Sequence, residues 1–198
     1  MKYSLLTAFG LALLAAACQQ GSPENAVSEP AAAAVPDSVY LAKGKEIAAA
    51  TFANLSSRLQ AAMQSGGVPE AVPYCQLSAH PIVDSLSKVY NADIRRTSTR
   101  VRNPANRPTA EELAILEIYE KQAAAAEALQ PQIVRGTDGT VHFYAPIKIL
   151  PLCLNCHGKA GETLTAENNE LIKKLYPEDT ATGYALDDFR GMWSIALK

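Results

Sequence analysis

Two cysteines and a histidine crowd into five positions, Cys153-Leu154-Asn155-Cys156-His157, late in a chain of 198 residues. C-x-x-C-H is the attachment pattern of a c-type haem. Thiols three residues apart on a tight turn reach the two vinyl groups, and the adjacent imidazole is held beneath the iron as its proximal ligand. Zinc would need two further ligands, and the sequence holds no second cysteine pair or histidine cluster. A thioredoxin-like redox pair belongs at a helix start after an early strand, not this far along the chain. The expectation is one covalently attached haem c, held by Cys153, Cys156 and His157.

The other end of the chain reads as an address. Leu5 to Ala17 is a 13-residue apolar run behind Met1-Lys2. A spanning helix needs about 20 such residues, whereas this length suits a signal-peptide core. The run ends in Leu14-Ala15-Ala16-Ala17-Cys18, which resembles a bacterial lipobox. Cys18 is then diacylated and becomes the mature N-terminus. The alternative, an ordinary signal with a free Cys18, leaves an exposed thiol in an exported protein. Gln19 rather than Asp follows, as in lipoproteins sorted to the outer membrane. The expected location is the periplasm, lipid-anchored to the outer membrane. Export agrees with the haem motif, because c-type haem is attached outside the cytoplasm in bacteria. Residues 1–17 are thus read as a signal peptide, 18–36 as the lipidated cysteine and a disordered tether of small, polar and proline residues, and 37–198 as one domain.

Periodicity sketches that domain. Asp37 is expected to cap a helix to about Ser65, with Ile47, Phe52, Leu55, Leu59 and Ala62/Met63 on its apolar side and Gly66-Gly67 ending it. A second helix is expected from Pro69 to about Tyr90, broken or kinked at Pro81. Ala92 to Ser98 reads as a short strand and Asn103 to Pro108 as a loop. Thr109 and Glu112 form a capping-box pattern for a helix to about Leu129. Gln132–Arg135 and Thr140–Ile149 read as a hairpin around Asp138-Gly139. Thr165 caps a further helix ended before Pro177, and Phe189–Leu197 is a final strand. Helices mixed with antiparallel strands, without βαβ regularity, give an α+β class. A formal net charge of -2 gives no support for nucleic-acid binding.

The second axial ligand decides what a haem site can do. Candidates are Cys75, His80, His142, Met63 and Met192. Once Cys18, Cys153 and Cys156 are assigned, Cys75 is the one cysteine left over, in a compartment that oxidises loose thiols. His80 follows five residues later, about 140° around a continuous helix, so the two could not face one iron together. A break at Pro81 would relax that argument. The residues alone rank Cys75 only slightly ahead of His80.

Several segments together carry a wider resemblance. They are the Cys75 stretch ending Ala79-His80-Pro81, then Arg96-Thr97-Ser98, then Arg102-Asn103-Pro104-Ala105-Asn106-Arg107-Pro108. The haem motif with Gly158, Thr182-Gly183-Tyr184 and Arg190-Gly191-Met192-Trp193-Ser194 follow in the same order. Over residues 40–198 the chain resembles a bacterial family of PAS-like single-haem c-type cytochromes, long filed as a domain of unknown function. The resemblance implies a PAS-like antiparallel sheet with flanking helices and long N-terminal helices. It implies axial ligation by His157 and by Cys75. The family often has proline directly after the Ala79 position, where this chain has His80 and then Pro81. Its domain occurs alone or fused to signalling modules.

A thiolate stabilises ferric iron, so the expected protein is of low potential. Two protein ligands leave no position for substrate, which favours an electron carrier or redox-responsive protein over an enzyme. The alternative is a haem-based gas or redox sensor, in which CO or NO displaces Cys75 and the signal passes to a partner. An unidentified redox or signalling protein and the membrane, through the lipid anchor, are the expected partners. Arg95, Arg96, Arg100, Arg102 and Arg107 form a basic stretch with no acid between them. Arg96 and Arg102 are the candidates for pairing with haem propionates. The competing reading of the stretch is a solvated loop. Trp193 and Phe189 are expected in the core.

Overall fold

Glycine, isoleucine, alanine and threonine at positions 44, 47, 48 and 51 set the first packing surface. The computed structural model describes residues 35–198, apart from the side chains of residues 75–78. In it α1 runs over Asp37–Gly66, and Gly44, Ile47, Ala48 and Thr51 are its buried stripe. The spacing of three and four residues puts them on one face. Thr51 returns its hydroxyl to the Ile47 carbonyl at 2.7 Å, so no polar group is left open there. A methyl group at Gly44 would lie inside the Phe143 ring, so glycine lets the helix backbone settle directly on the sheet.

Asp37 does not cap α1. Pro36 occupies the cap position with no side-chain bond, and Asp37 is the first helical residue. Its carboxylate is drawn instead to Arg135, 2.6 Å away on the neighbouring strand. Only Gly67 separates α1 from α2, Val68–Tyr90. The expected break at Pro81 is absent: α2 continues through Pro73 and Pro81. Each proline forfeits one helical hydrogen bond. Packing compensates, because Val83, Leu86 and Tyr90 of the later turns press into the main core. Asn91, in the left-handed region at φ 48, ends the helix and turns the chain straight into β1, Ala92–Thr97.

The sheet has the order β1-β4-β3-β2, with every neighbouring pair antiparallel. β2 is Gln132–Arg135, β3 is Val141–Lys148 and β4 is Phe189–Leu197. Alternation divides the side chains between two faces. Ala92, Ile94, Val141, Phe143, Trp193 and Ile195 form the core beneath α1 and α2. On the opposite face Tyr144 and Met192 meet Leu116 and Tyr119 of α3, Ala110–Ala124. The α+β class, the antiparallel sheet and the long N-terminal helices are as the sequence implied.

The capping box of α3 is complete: Glu112 N–H donates to Thr109 Oγ1 at 3.2 Å, and Thr109 N–H to Glu112 Oε2 at 2.9 Å. The helix stops at Ala124, short of the expected Leu129. Ala126 swings to φ 55, and the buried Tyr119 hydroxyl holds the Gln130 carbonyl at 2.9 Å, drawing the chain back. After β3 comes a 3-10 turn at Pro151–Cys153, then α4, Leu154–His157, and α5, Ala166–Leu175. Thr165 caps α5 by accepting from Asn168 N–H at 3.2 Å. Ile172 of α5, with Leu164 and Tyr176, packs on Val68 and Val72 of α2, and Met63 and Cys156 close over this second small core.

Candidate functional site

The first half of α1 lies on the sheet, and its second half overhangs a cavity of about 290 Å³. Small-molecule pockets begin at about 300 Å³ and are mostly apolar. Leu55, Leu59 and Met63 line this one from α1, and Tyr74 and His80 from α2. The facing wall is the C-x-x-C-H turn: Cys153, Cys156 and His157 all border the cavity.

The turn is held locally. Cys153 N–H donates to the Leu150 carbonyl at 2.9 Å, and Asn155 Nδ2 to the Leu152 carbonyl at 3.0 Å. Gly158 N–H closes the helical turn on the Leu154 carbonyl at 3.0 Å. A Cβ at Gly158 would strike the Thr163 side chain and stand 2.6 Å from that same carbonyl, so the position after the histidine requires glycine.

His157 Nδ1 lies 2.6 Å from the Ala181 carbonyl. A carbonyl only accepts, so Nδ1 carries the proton and Nε2 keeps a lone pair. Burial holds the imidazole pKa well below its ordinary value, and the nearby Arg102, Arg190 and Arg96 guanidinium groups push the same way. The ring is therefore a neutral donor, the form that binds metals. Residues 179–184 wrap around the motif. Tyr184 N–H donates to the His157 carbonyl at 3.0 Å and Gly183 N–H to the Gly158 carbonyl at 2.8 Å. The Tyr184 ring meets the imidazole edge-on, with centroids 6.4 Å apart. Arg100 and Arg190 lie over that tyrosine at 4.3 and 5.4 Å.

The basic stretch divides by position. Arg96 and Arg102 border the cavity. Arg96 lies over Trp193 at 5.8 Å, and Arg102 donates to the Cys156 carbonyl at 2.5 Å. Arg100 braces the wrap by donating to the Thr180 carbonyl at 3.1 Å. Arg95 pairs with Glu112 at 3.5 Å, beside α3, and Arg107 with Glu178 at 2.6 Å on the surface. Arg190, which the sequence reading did not single out, is a third arginine at the cavity. Its signal was an arginine at the start of a strand whose other residues are largely apolar.

The other candidates also separate. Cys18 lies outside the described residues. The backbone of Cys75 is in α2, and its side chain lies outside the described residues. His80 is exposed at the cavity wall, its Nε2 3.2 Å from Asn103 Nδ2. Two candidate ligands are away from the site. His142 stacks on Tyr144, on the opposite face of the sheet, at 6.0 Å, and Met192 is sealed in the α3 core. Trp193 is in the core, as expected, and also borders the cavity. Phe189 packs against Tyr119 with centroids 5.6 Å apart. Among the described residues, no group of three or more His, Cys, Asp or Glu side chains is placed to hold a bare metal ion. No helix among them is long and apolar enough to cross a membrane.

Fold and site together define an α+β domain in which a helical hairpin roofs a cavity walled by a C-x-x-C-H turn. The model of the Tll0287-like family matches residues 27–197, and the chain belongs to that family. Among solved structures it is similar to the cyanobacterial heme-protein Tll0287, with a TM-score of 0.59 and 23% identity. That match covers 83% of this chain and 96% of the other. No curated protein matches it.

Proposed function

We propose that this chain is an exported c-type monohaem cytochrome of low potential, an electron carrier or redox-responsive protein. The observation that carries this reading is the state of His157. Its Nδ1 is committed to Ala181 at 2.6 Å, and it shares one cavity wall with Cys153 and Cys156. The similarity to the cyanobacterial heme-protein Tll0287 supports the same cofactor here.

The chain's own residues fit such a group. Cys153 and Cys156 would each add S–H across a vinyl double bond, an addition that needs no oxidant. His157 would offer Nε2 to the iron, and Cys75, by family resemblance, would offer its thiolate. Arg102 Nε, Arg190 Nε and the Tyr74 hydroxyl are buried with no hydrogen-bond partner, and all three residues border the cavity. Unsatisfied buried donors are costly, and haem propionates are acceptors of the right charge. Arg96 joins them at the cavity wall. When bound, the haem supplies a one-electron ferric/ferrous couple. An anionic Cys75 ligand would favour the ferric form, and Leu55 and Leu59 give the cavity apolar lining. Residues 1–17 as signal peptide and lipidated Cys18 complete the reading, with residues 37–198 working at the outer membrane beside a redox or signalling partner.

Low-temperature EPR of the ferric, haem-loaded protein tests it. A low-spin signal of thiolate–imidazole type is expected. A high-spin signal, or a bis-histidine or histidine–methionine signal, removes Cys75 from the iron. Loss of haem on acid–acetone extraction overturns covalent attachment.

A further inference from the structure

Asp179 touches neither the thiols nor the imidazole, yet it fixes the group that does. Its side chain is 2% exposed and that of Arg102, its ion-pair partner, 14%. Oδ1 accepts the Ala181 N–H at 2.8 Å, and Oδ2 accepts from Arg102 Nη2 at 3.1 Å. The Ala181 carbonyl is in turn the acceptor for His157 Nδ1 at 2.6 Å. Ala181 is thus held at its amide by a carboxylate and at its carbonyl by the imidazole, with Arg102 Nη2 donating to the same carbonyl at a longer 3.4 Å. The same Arg102 nitrogen reaches the Cys156 carbonyl at 2.5 Å, tying the pair back to the residue before the histidine.

A buried carboxylate is costly unless fully partnered, so this placement calls for a role. The Ala181 N–H and carbonyl belong to successive peptide groups, so the carboxylate acts by position: it holds Ala181 with its carbonyl aimed at Nδ1–H and secures that bond. A more strongly held Nδ1–H makes Nε2 the better donor and fixes the plane of the ring. Partners of this kind on metal-binding histidines change affinity by about 10–100-fold when removed.

We infer that Asp179 is a positioning residue for His157: through Ala181 it sets the orientation and donor strength of the imidazole, with Arg102 as its counter-charge. The inference rests on the haem reading above. It carries a sign. Neutralising Asp179 weakens the donor and disfavours the ferric state, so the midpoint potential rises.

The test uses the haem-loaded wild type, Asp179→Asn and Asp179→Glu. Covalent haem is measured by mass, the midpoint by redox titration, and the ligand field by ferric EPR. Asp179→Asn is expected to raise the midpoint by about 59 mV, a tenfold change in the ferric/ferrous preference, and to alter the g-value spread. Asp179→Glu keeps the charge but moves the carboxylate by one methylene. It is expected to alter the g-value spread too, and it carries the test if Asp179→Asn does not accumulate. A midpoint shift with g values unchanged in both variants reduces Asp179 to a distant charge and overturns the inference, as do unchanged values throughout. A wild type without covalent haem overturns the haem reading itself, before any variant is compared.

Discussion

His157 Nδ1 and the Ala181 carbonyl meet at 2.6 Å across 24 positions of chain. The contact joins a one-turn helix to a segment with no regular structure of its own. It decides which ring nitrogen faces the cavity. A C-x-x-C-H motif alone leaves that choice open.

If Cys75 is the second axial ligand, Cys75→Ala leaves the iron with one protein ligand. The ferric EPR signal is then expected to change from low-spin to high-spin, and the reduced protein to take up CO with a shift of its Soret band. An unchanged low-spin signal would assign the position to another side chain, with His80 the first to test because it borders the cavity.

Gly44→Ala forces a methyl into the space of the Phe143 ring. Overpacking of this kind costs about 1–3 kcal/mol, read as a lower denaturation midpoint. Phe143→Leu in the same chain is expected to recover part of the loss, and a double-mutant cycle measures how much. Additive losses would mean that the helix moves away from the ring instead.

Burial pushes the Tyr119 phenol from 10.0 up to about 12. The folded protein therefore keeps a proton that the unfolded chain gives up. The associated stability is fully present below pH 10 and is lost as the pH rises through about 12. Tyr119→Phe is expected to lose about 1 kcal/mol at neutral pH, because the hydroxyl bonds to the Gln130 and Tyr144 carbonyls are gone. Between pH 10 and 12 its stability should fall less steeply than that of the wild type. Parallel curves would place the titration elsewhere.

If Cys18 is lipidated, membrane attachment depends on one side chain. Cys18→Ser is expected to stop fatty-acid labelling and to release the haem-loaded protein into the soluble periplasmic fraction, or to leave an unprocessed precursor. A labelled, membrane-bound Cys18→Ser protein would disprove the lipobox reading.

Much of the fold was legible because its signals are local. Thr109 and Glu112 lie three positions apart and declare their capping box in the sequence. Gln132–Arg135 and Phe189–Leu197 matched their strands, the first because the Asp138-Gly139 turn signal lies close by in the chain. Asp37 misled because a good cap residue found a better partner in Arg135, across 98 positions. Pro81 misled because tertiary packing outweighs a lost backbone bond. The same division runs through the site. The thiols, His157 and the arginines at 96 and 102 could be named from spacing and resemblance. Ala181 and Asp179 could not, since Arg102 reaches Asp179 over 77 positions and nothing short-range marks that pair; Arg190 stood in a resembling segment, but nothing local marked it as facing the cavity.

The strand order has a consequence for how the molecule is made. β1 pairs with β4, Ala92 opposite Leu197, and β4 also carries β3 on its other edge. Chains emerge from the ribosome N-terminus first. β1 therefore waits for its hydrogen-bonding partner until the rest of the domain has been synthesised, and long-range pairings of this kind slow folding. A premature stop before Phe189 would not trim the sheet at its margin. It would remove the strand that joins β1 to the rest.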